Sequence, residues 1–206
     1  MSAESATFSI NVALIQLPRR NSSLPYPVGH SLVAWTVGII CRRRHLTVPE
    51  WKTALWWSFL AVSPDFDFLI STITGDYDLH RTGTHSLITA VVVGMLLAII
   101  EFRALNWRRG LLYTALIASH CMLDWGATKA AHTSGPALFW PITNQRYALG
   151  IRTLPEIVIP GIPVTLQPFF ELVQICLVEL LIFLPVFLLF QFVLSYFRRT
   201  QAINAS

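Results

Sequence analysis

The sequence predicts an all-α integral membrane bundle of about five helices, with a long Gly/Pro-rich loop before the last helix. Three observations lead there. Hydrophobic residues make up 54% of the 206 positions, charged residues only 13%, and mean hydropathy is +0.56, above the range of ordinary soluble domains. The apolar residues fall into five runs, the last of which, Leu172–Phe197, exceeds the roughly 20 residues needed to cross a hydrocarbon core. Basic residues gather beside those runs in short knots, Arg42-Arg43-Arg44, Arg108-Arg109 and Arg198-Arg199, as membrane-flanking anchors do.

Residues 1–27 form an N-terminal segment whose apolar stretch Phe8–Leu17 has no basic region before it, so no cleavable signal is expected. The metal-site helical core is assigned to residues 28–147. Its apolar runs, Val28–Cys41, Lys52–Ser63, Ser86–Phe102 and Leu111–Trp125, are short for spans and read as four tightly packed helices in two hairpins. Thr47-Val48-Pro49-Glu50 has the form of a capping box, with Thr47 as N-cap. Pro64 disfavours helix at Ser63 and should end the second helix, leaving Asp65 and Asp67 in an extended segment. From Gly126 to Gln167, Gly and Pro recur through apolar sequence, which suggests an ordered loop or lid; residues 148–171 are taken as an interfacial loop. Residues 172–199 are the C-terminal transmembrane helix, kinked at Pro185.

The charge of +4 is too modest and too scattered for a nucleic-acid interface, and no nucleic-acid partner is expected. Cys41, Cys121 and Cys176 are odd in number and set in apolar sequence, so they read as packed thiols rather than a disulfide framework. Placing the Arg42–Lys52 and Arg103–Arg109 connections and the C-terminal tail in the cytoplasm is consistent with five passes.

That topology has a consequence for the histidines and aspartates. His30 opens the first helix, Asp65 and Asp67 follow the second, His80 and His85 precede the third, and His120 and Asp124 end the fourth. All seven then lie at the same, non-cytoplasmic membrane face, with His45 alone on the other. Imidazole and carboxylate together suit zinc, manganese or iron(II). His120 and Asp124, at i and i+4, project from one helix face. One of the Asp65/Asp67 pair can ligate while the other orients an imidazole. His132 lies in the loop, and Glu179 sits mid-helix in the last run with no partner that the sequence names.

Pro64-Asp65-Phe66-Asp67, His80-Arg81-x-Gly83-x-His85-Ser86, His120-x-x-x-Asp124 and Leu138-Phe139-Trp140-Pro141 occur in an order and spacing that resembles the LexA-binding, inner-membrane-associated metal-dependent hydrolases of bacteria. The likeness runs from about His30 to Tyr147 and extends distantly to the zinc-dependent phospholipase C and P1-type nuclease group. It implies a bacterial inner-membrane location, with His30, Asp65, His80 or His85, His120 and Asp124 as metal ligands. It also implies that Asp65 or Asp67 acts as general base. The chain departs from the phospholipase pattern in having no histidine after His132; Gln167-x-x-x-Glu171 is the nearest equivalent of the missing helical pair. One or two divalent ions, zinc first, are therefore expected rather than three.

The reading is a membrane-bound hydrolase of a phosphoester that is small or lipid-linked. Asp65, Asp67 and Arg81 are the catalytic candidates, and Arg81, Arg146 and Trp140 are the substrate-binding ones. The alternatives are a metal or proton transporter, or a non-catalytic membrane regulator with a degenerate metal site.

Overall fold

All five apolar runs become helices, three of them close to their expected limits, in the computed structural model, which describes residues 27–42, 50–76, 79–127, 135–150 and 167–204. Helix α1 covers Pro27–Arg42, with proline at a first-turn position where its missing N–H is not needed. Helix α2 covers Trp51–Val62. Its N-cap is Glu50, in extended backbone, whose carbonyl accepts the Ala54 N–H at 2.9 Å. The Thr47 capping box is thereby corrected: Glu50 stands at the cap rather than at N3, and no side chain caps the helix. Thr47 itself lies outside the described residues, as do His45, Lys129, His132 and positions 151–166 of the interfacial loop.

The segment after α2 also differs from expectation. Ser63 stays helical (φ −56°, ψ −31°) because its N–H bonds to the Phe59 carbonyl, which outweighs the bias that Pro64 imposes on it. Pro64 then occupies the first turn of a 3-10 helix, Ser63–Phe66, where its lack of a donor costs nothing. That turn runs directly into α3, Asp67–Thr74, which ends at Gly75 with φ +73°. Asp65 and Asp67 are therefore on helical backbone, pointing on the order of 200° apart rather than the same way. Together α2, the 3-10 turn and α3 make one bent helical body.

Helix α4 is Leu87–Phe102, with Ser86 as its N-cap: the Ser86 hydroxyl accepts the Ile88 N–H at 3.1 Å. Helix α5, Trp107–Ala127, starts four residues before the first apolar residue of its run. Asn106 accounts for this, since its side chain accepts the Arg109 N–H at 3.2 Å. Helix α6 spans Gln167–Asn204, beginning five residues earlier than Leu172 and passing through Pro185. The described residues contain no strand, so the chain is all-α.

Helix α1 is central, packing against α2, α5 and α6, while α4 pairs with α5. Leu32, Ile39, Trp57, Leu60, Tyr113 and Leu116 form the buried centre. Two glycines let helices approach closely. A Cβ on Gly38 would overlap the Trp57 ring, and one on Gly94 would stand 2.8 Å from Thr114 Cα. The Trp35 indole N–H, shared between Ala54 O at 3.1 Å and Ser58 Oγ at 3.0 Å, ties α1 to α2.

By length and composition α6 is suited to crossing a bilayer over Val173–Phe197, about 37 Å at about 1.5 Å per residue. Leu181, Leu189 and Phe192 there are exposed. Helices α1 and α4 are apolar but shorter. Residues 135–150 are irregular yet fastened to the bundle. Leu87 N–H bonds to Leu138 O at 2.9 Å, the Ser86 hydroxyl donates to Trp140 O at 2.6 Å, and Leu149 N–H bonds to Trp125 O at 2.8 Å. This plate of loop lies over the start of α4 and the end of α5.

Candidate metal centre

Four helix ends meet under that plate. Asp65 from the 3-10 turn, His85 from the loop before α4, and His120 and Asp124 from the last turns of α5 bring one donor atom each within 4.8 Å of one another. His85 Nε2 lies 3.0 Å from His120 Nε2, 3.3 Å from Asp65 Oδ1 and 3.3 Å from Asp124 Oδ2. His120 Nε2 is 3.4 Å from Asp65 Oδ1 and 3.7 Å from Asp124 Oδ2. Ligand bonds of about 2.0–2.1 Å in tetrahedral array put donors about 3.4 Å apart, so this nitrogen and oxygen set fits a divalent ion. His85, His120 and Asp124 are buried; the Asp65 side chain is 33% exposed and marks the way in.

His30 stands behind the four. Its ring stacks on His120 at 3.9 Å, and its Nε2 is 3.6 Å from Asp124 Oδ1, the oxygen turned away from His85. Among the described residues neither His30 nitrogen has a hydrogen-bond partner, although the residue is fully buried. A buried imidazole left so is costly, and a cation shared with Asp124 would satisfy it.

Asp67 has a different task. Its Oδ1 is 2.7 Å from His80 Nδ1; its Oδ2 accepts the Arg81 N–H at 3.1 Å and the Thr84 hydroxyl, and lies 3.3 Å from His85 Nδ1. Asp65 and Asp67 thus hold opposite nitrogens of one imidazole, which follows from their divergent directions on helical backbone. Asp67 turns the Nε2 lone pair of His85 toward the cluster, the carboxylate–histidine arrangement usual behind metal ligands. His80 is engaged with Asp67 and is not among the four donors.

Arg81 adopts a left-handed backbone (φ +65°), held by Asp67 at its N–H and by the Ala137 N–H at its carbonyl. Such a conformation in a non-glycine residue stores strain of the kind found at functional sites. The side chain is nearly buried, with Nε 3.9 Å from Asp124 Oδ2. Arg146 is close by but braced: its guanidinium donates to His80 O at 3.4 Å, Gly135 O at 3.3 Å and Thr82 Oγ1 at 3.2 Å. Trp140 precedes a cis proline bond and packs its ring over Gly83, at the rim.

Burial opposes ionisation of Asp65, but hydrogen bonds from His120 and His85 outweigh it and hold the carboxyl well below the usual range. For Asp67, burial is likewise overcome by bonds from His80, His85 and Thr84. Burial would depress His85, yet Asp124, Asp65 and Asp67 around it push it up to about 10.

The family profile for the YdjM inner membrane proteins matches residues 26–201. The chain belongs to that family. The matched region takes in α1 through the apolar length of α6, and with it every residue of the cluster. No curated protein and no solved structure matches the chain.

The sequence brought these helix ends to one face but missed one contributor. Thr84 links Asp67 and His85, with its hydroxyl 3.0 Å from His85 Nδ1; its place beside a candidate ligand was the available signal. Glu179, which the sequence marked as an ionisable group in need of a partner, accepts the Gly29 N–H at 3.0 Å.

Proposed function

We propose that this inner-membrane protein is a metal-dependent hydrolase of a phosphoester that is small or lipid-linked, reached from the non-cytoplasmic face. The observation that carries the reading is the buried four-donor cluster, partly exposed at Asp65 and bordered by a strained, nearly buried arginine. Asp65, His85, His120 and Asp124 would hold a first ion, zinc by its fit to tetrahedral N/O donors. His30 and Asp124 Oδ1 would supply donors to a second. A divalent ion in such a setting polarises a phosphoryl oxygen and acidifies bound water.

The chain's own residues set the geometry for that chemistry. Asp67 and Thr84 fix the His85 ring, and Asp67 with Ala137 fixes the Arg81 backbone. The Arg81 guanidinium offers planar donors matched to a phosphate. Arg146 braces the loop that carries Arg81 rather than reaching for substrate. Of the two aspartates, Asp65 is the more exposed and faces the way in for substrate or solvent. Asp67, engaged by His80, the Arg81 N–H, Thr84 and His85, serves to orient. Exposed Phe139, Trp140 and Ile142 at the rim suit an apolar substrate tail or the headgroup region. Multi-pass insertion of the whole bundle, with the cluster outside, is part of the proposal.

Elemental analysis of detergent-purified protein tests the centre. Wild type should carry at least one equivalent of zinc or manganese, and His120→Ala and Asp65→Ala much less. Equal content in all three removes the centre. A phosphodiesterase and phospholipase panel on metal-loaded protein then tests the chemistry, with Arg81→Ala as the control that keeps the ligands.

A further inference from the structure

Glu179 lies within the apolar length of α6 and is fully buried, although that helix turns most of its side chains outward. Its Oε2 accepts the Gly29 N–H at 3.0 Å. Gly29 is the third residue of α1, where an N–H has no acceptor within the helix and a carboxylate also meets the positive end of the helix dipole. The contact requires glycine there: a Cβ would stand 2.9 Å from the Phe183 ring and 3.0 Å from Glu179 Oε1. Among the described helices α6 packs against α1 alone. The residue after Gly29 is His30, whose imidazole has no hydrogen bond among the described residues and is placed by its backbone and its stack on His120.

We propose that Glu179 is a positioning residue for the metal centre: by capping the first turn of α1 it aims His30 at Asp124. Helix α6 is then a working part of the centre as well as an anchor. This inference rests on the reading of His30 and Asp124 as metal donors.

Zinc affinity, measured by chelator competition on the full-length protein in detergent, tests it. Glu179→Leu suits an apolar helix yet removes the cap, and Glu179→Asp withdraws the carboxylate by one methylene. Both should bind zinc about 10-fold more weakly, whereas Glu179→Gln, whose amide oxygen still accepts from Gly29, should stay near wild type. In a His30→Ala background the Glu179 changes should have no further effect beyond about twofold. Cobalt substitution should show the same visible-band change for Glu179→Leu as for His30→Ala. Wild-type affinity in both Glu179→Leu and Glu179→Asp overturns the proposal, as does an equal loss with and without His30, which marks general loosening. A wild type that binds no zinc is a different outcome: it overturns the metal centre itself, and this inference with it.

Discussion

Replacing Asp67 by alanine should separate holding a ligand from being one. The carboxylate meets His80, the Arg81 N–H, the Thr84 hydroxyl and His85 Nδ1, and it touches none of the cluster from the ion's side. Hydrogen bonds to a charged group contribute about 1.5–3 kcal/mol each, offset by the cost of burying the charge. Breaking a buried ionic set of this kind costs about 3–5 kcal/mol of stability. The His85 ring would lose the partner that fixes its tautomer, and metal affinity should fall about 10- to 100-fold. Asp67→Asn keeps one acceptor for the Arg81 loop, so it should recover part of the stability while binding metal less well than wild type. Thermal unfolding and chelator competition, run on the same preparations, give the two quantities. If Asp67→Ala binds metal as tightly as wild type, Asp67 does not orient His85 and the assignment of its role is wrong.

Further outcomes follow from other contacts. With His85 raised to about 10, an ion must displace a proton from it below that pH. Metal affinity should therefore rise about tenfold per pH unit between pH 7 and 9 and weaken as pH falls; a flat profile would refute the shift. In metal-free protein the same raised value stabilises the fold below the unfolded pKa of about 6.5, and this stabilisation is lost as pH climbs through about 10. Gly94→Ala should push α4 off Thr114 and cost about 1–3 kcal/mol, read as a lower unfolding temperature; unchanged stability would mean the helices are not so close. A cysteine at exposed Thr74, in a Cys41→Ser background, should react with an impermeant reagent from the non-cytoplasmic side. Labelling only from the cytoplasm would invert the proposed orientation while leaving the cluster untouched.

Periodicity and breakers were enough to place α1, α2 and α4 within a residue or two, because those limits coincide with changes in hydropathy. Limits set by hydrogen bonds were harder to see. Asn106 starts α5 ahead of its apolar run, and Ser63 remains helical despite Pro64. The second error concealed the most useful detail of the centre. On extended backbone Asp65 and Asp67 would face together, whereas on helical backbone they divide the two nitrogens of His85 between them. The gathering of His30, Asp65, His85, His120 and Asp124 was legible because helix ends on one face converge whatever the packing angles. The relegation of His80 to a partner of Asp67 was not, since two histidines five residues apart in a loop look alike until the turn at Arg81 is known.

That turn has a wider consequence. Arg81 is gripped at both peptide faces, His85 on its outer nitrogen, and the neighbouring loop by Arg146. None of these restraints passes through an ion. The donors are preorganised, so loading the centre resembles filling a socket more than folding around a nucleus, unlike small zinc domains that collapse without their metal. A cell could strip and recharge such a centre without rebuilding the protein, and its occupancy would then follow metal supply rather than the rate of new synthesis.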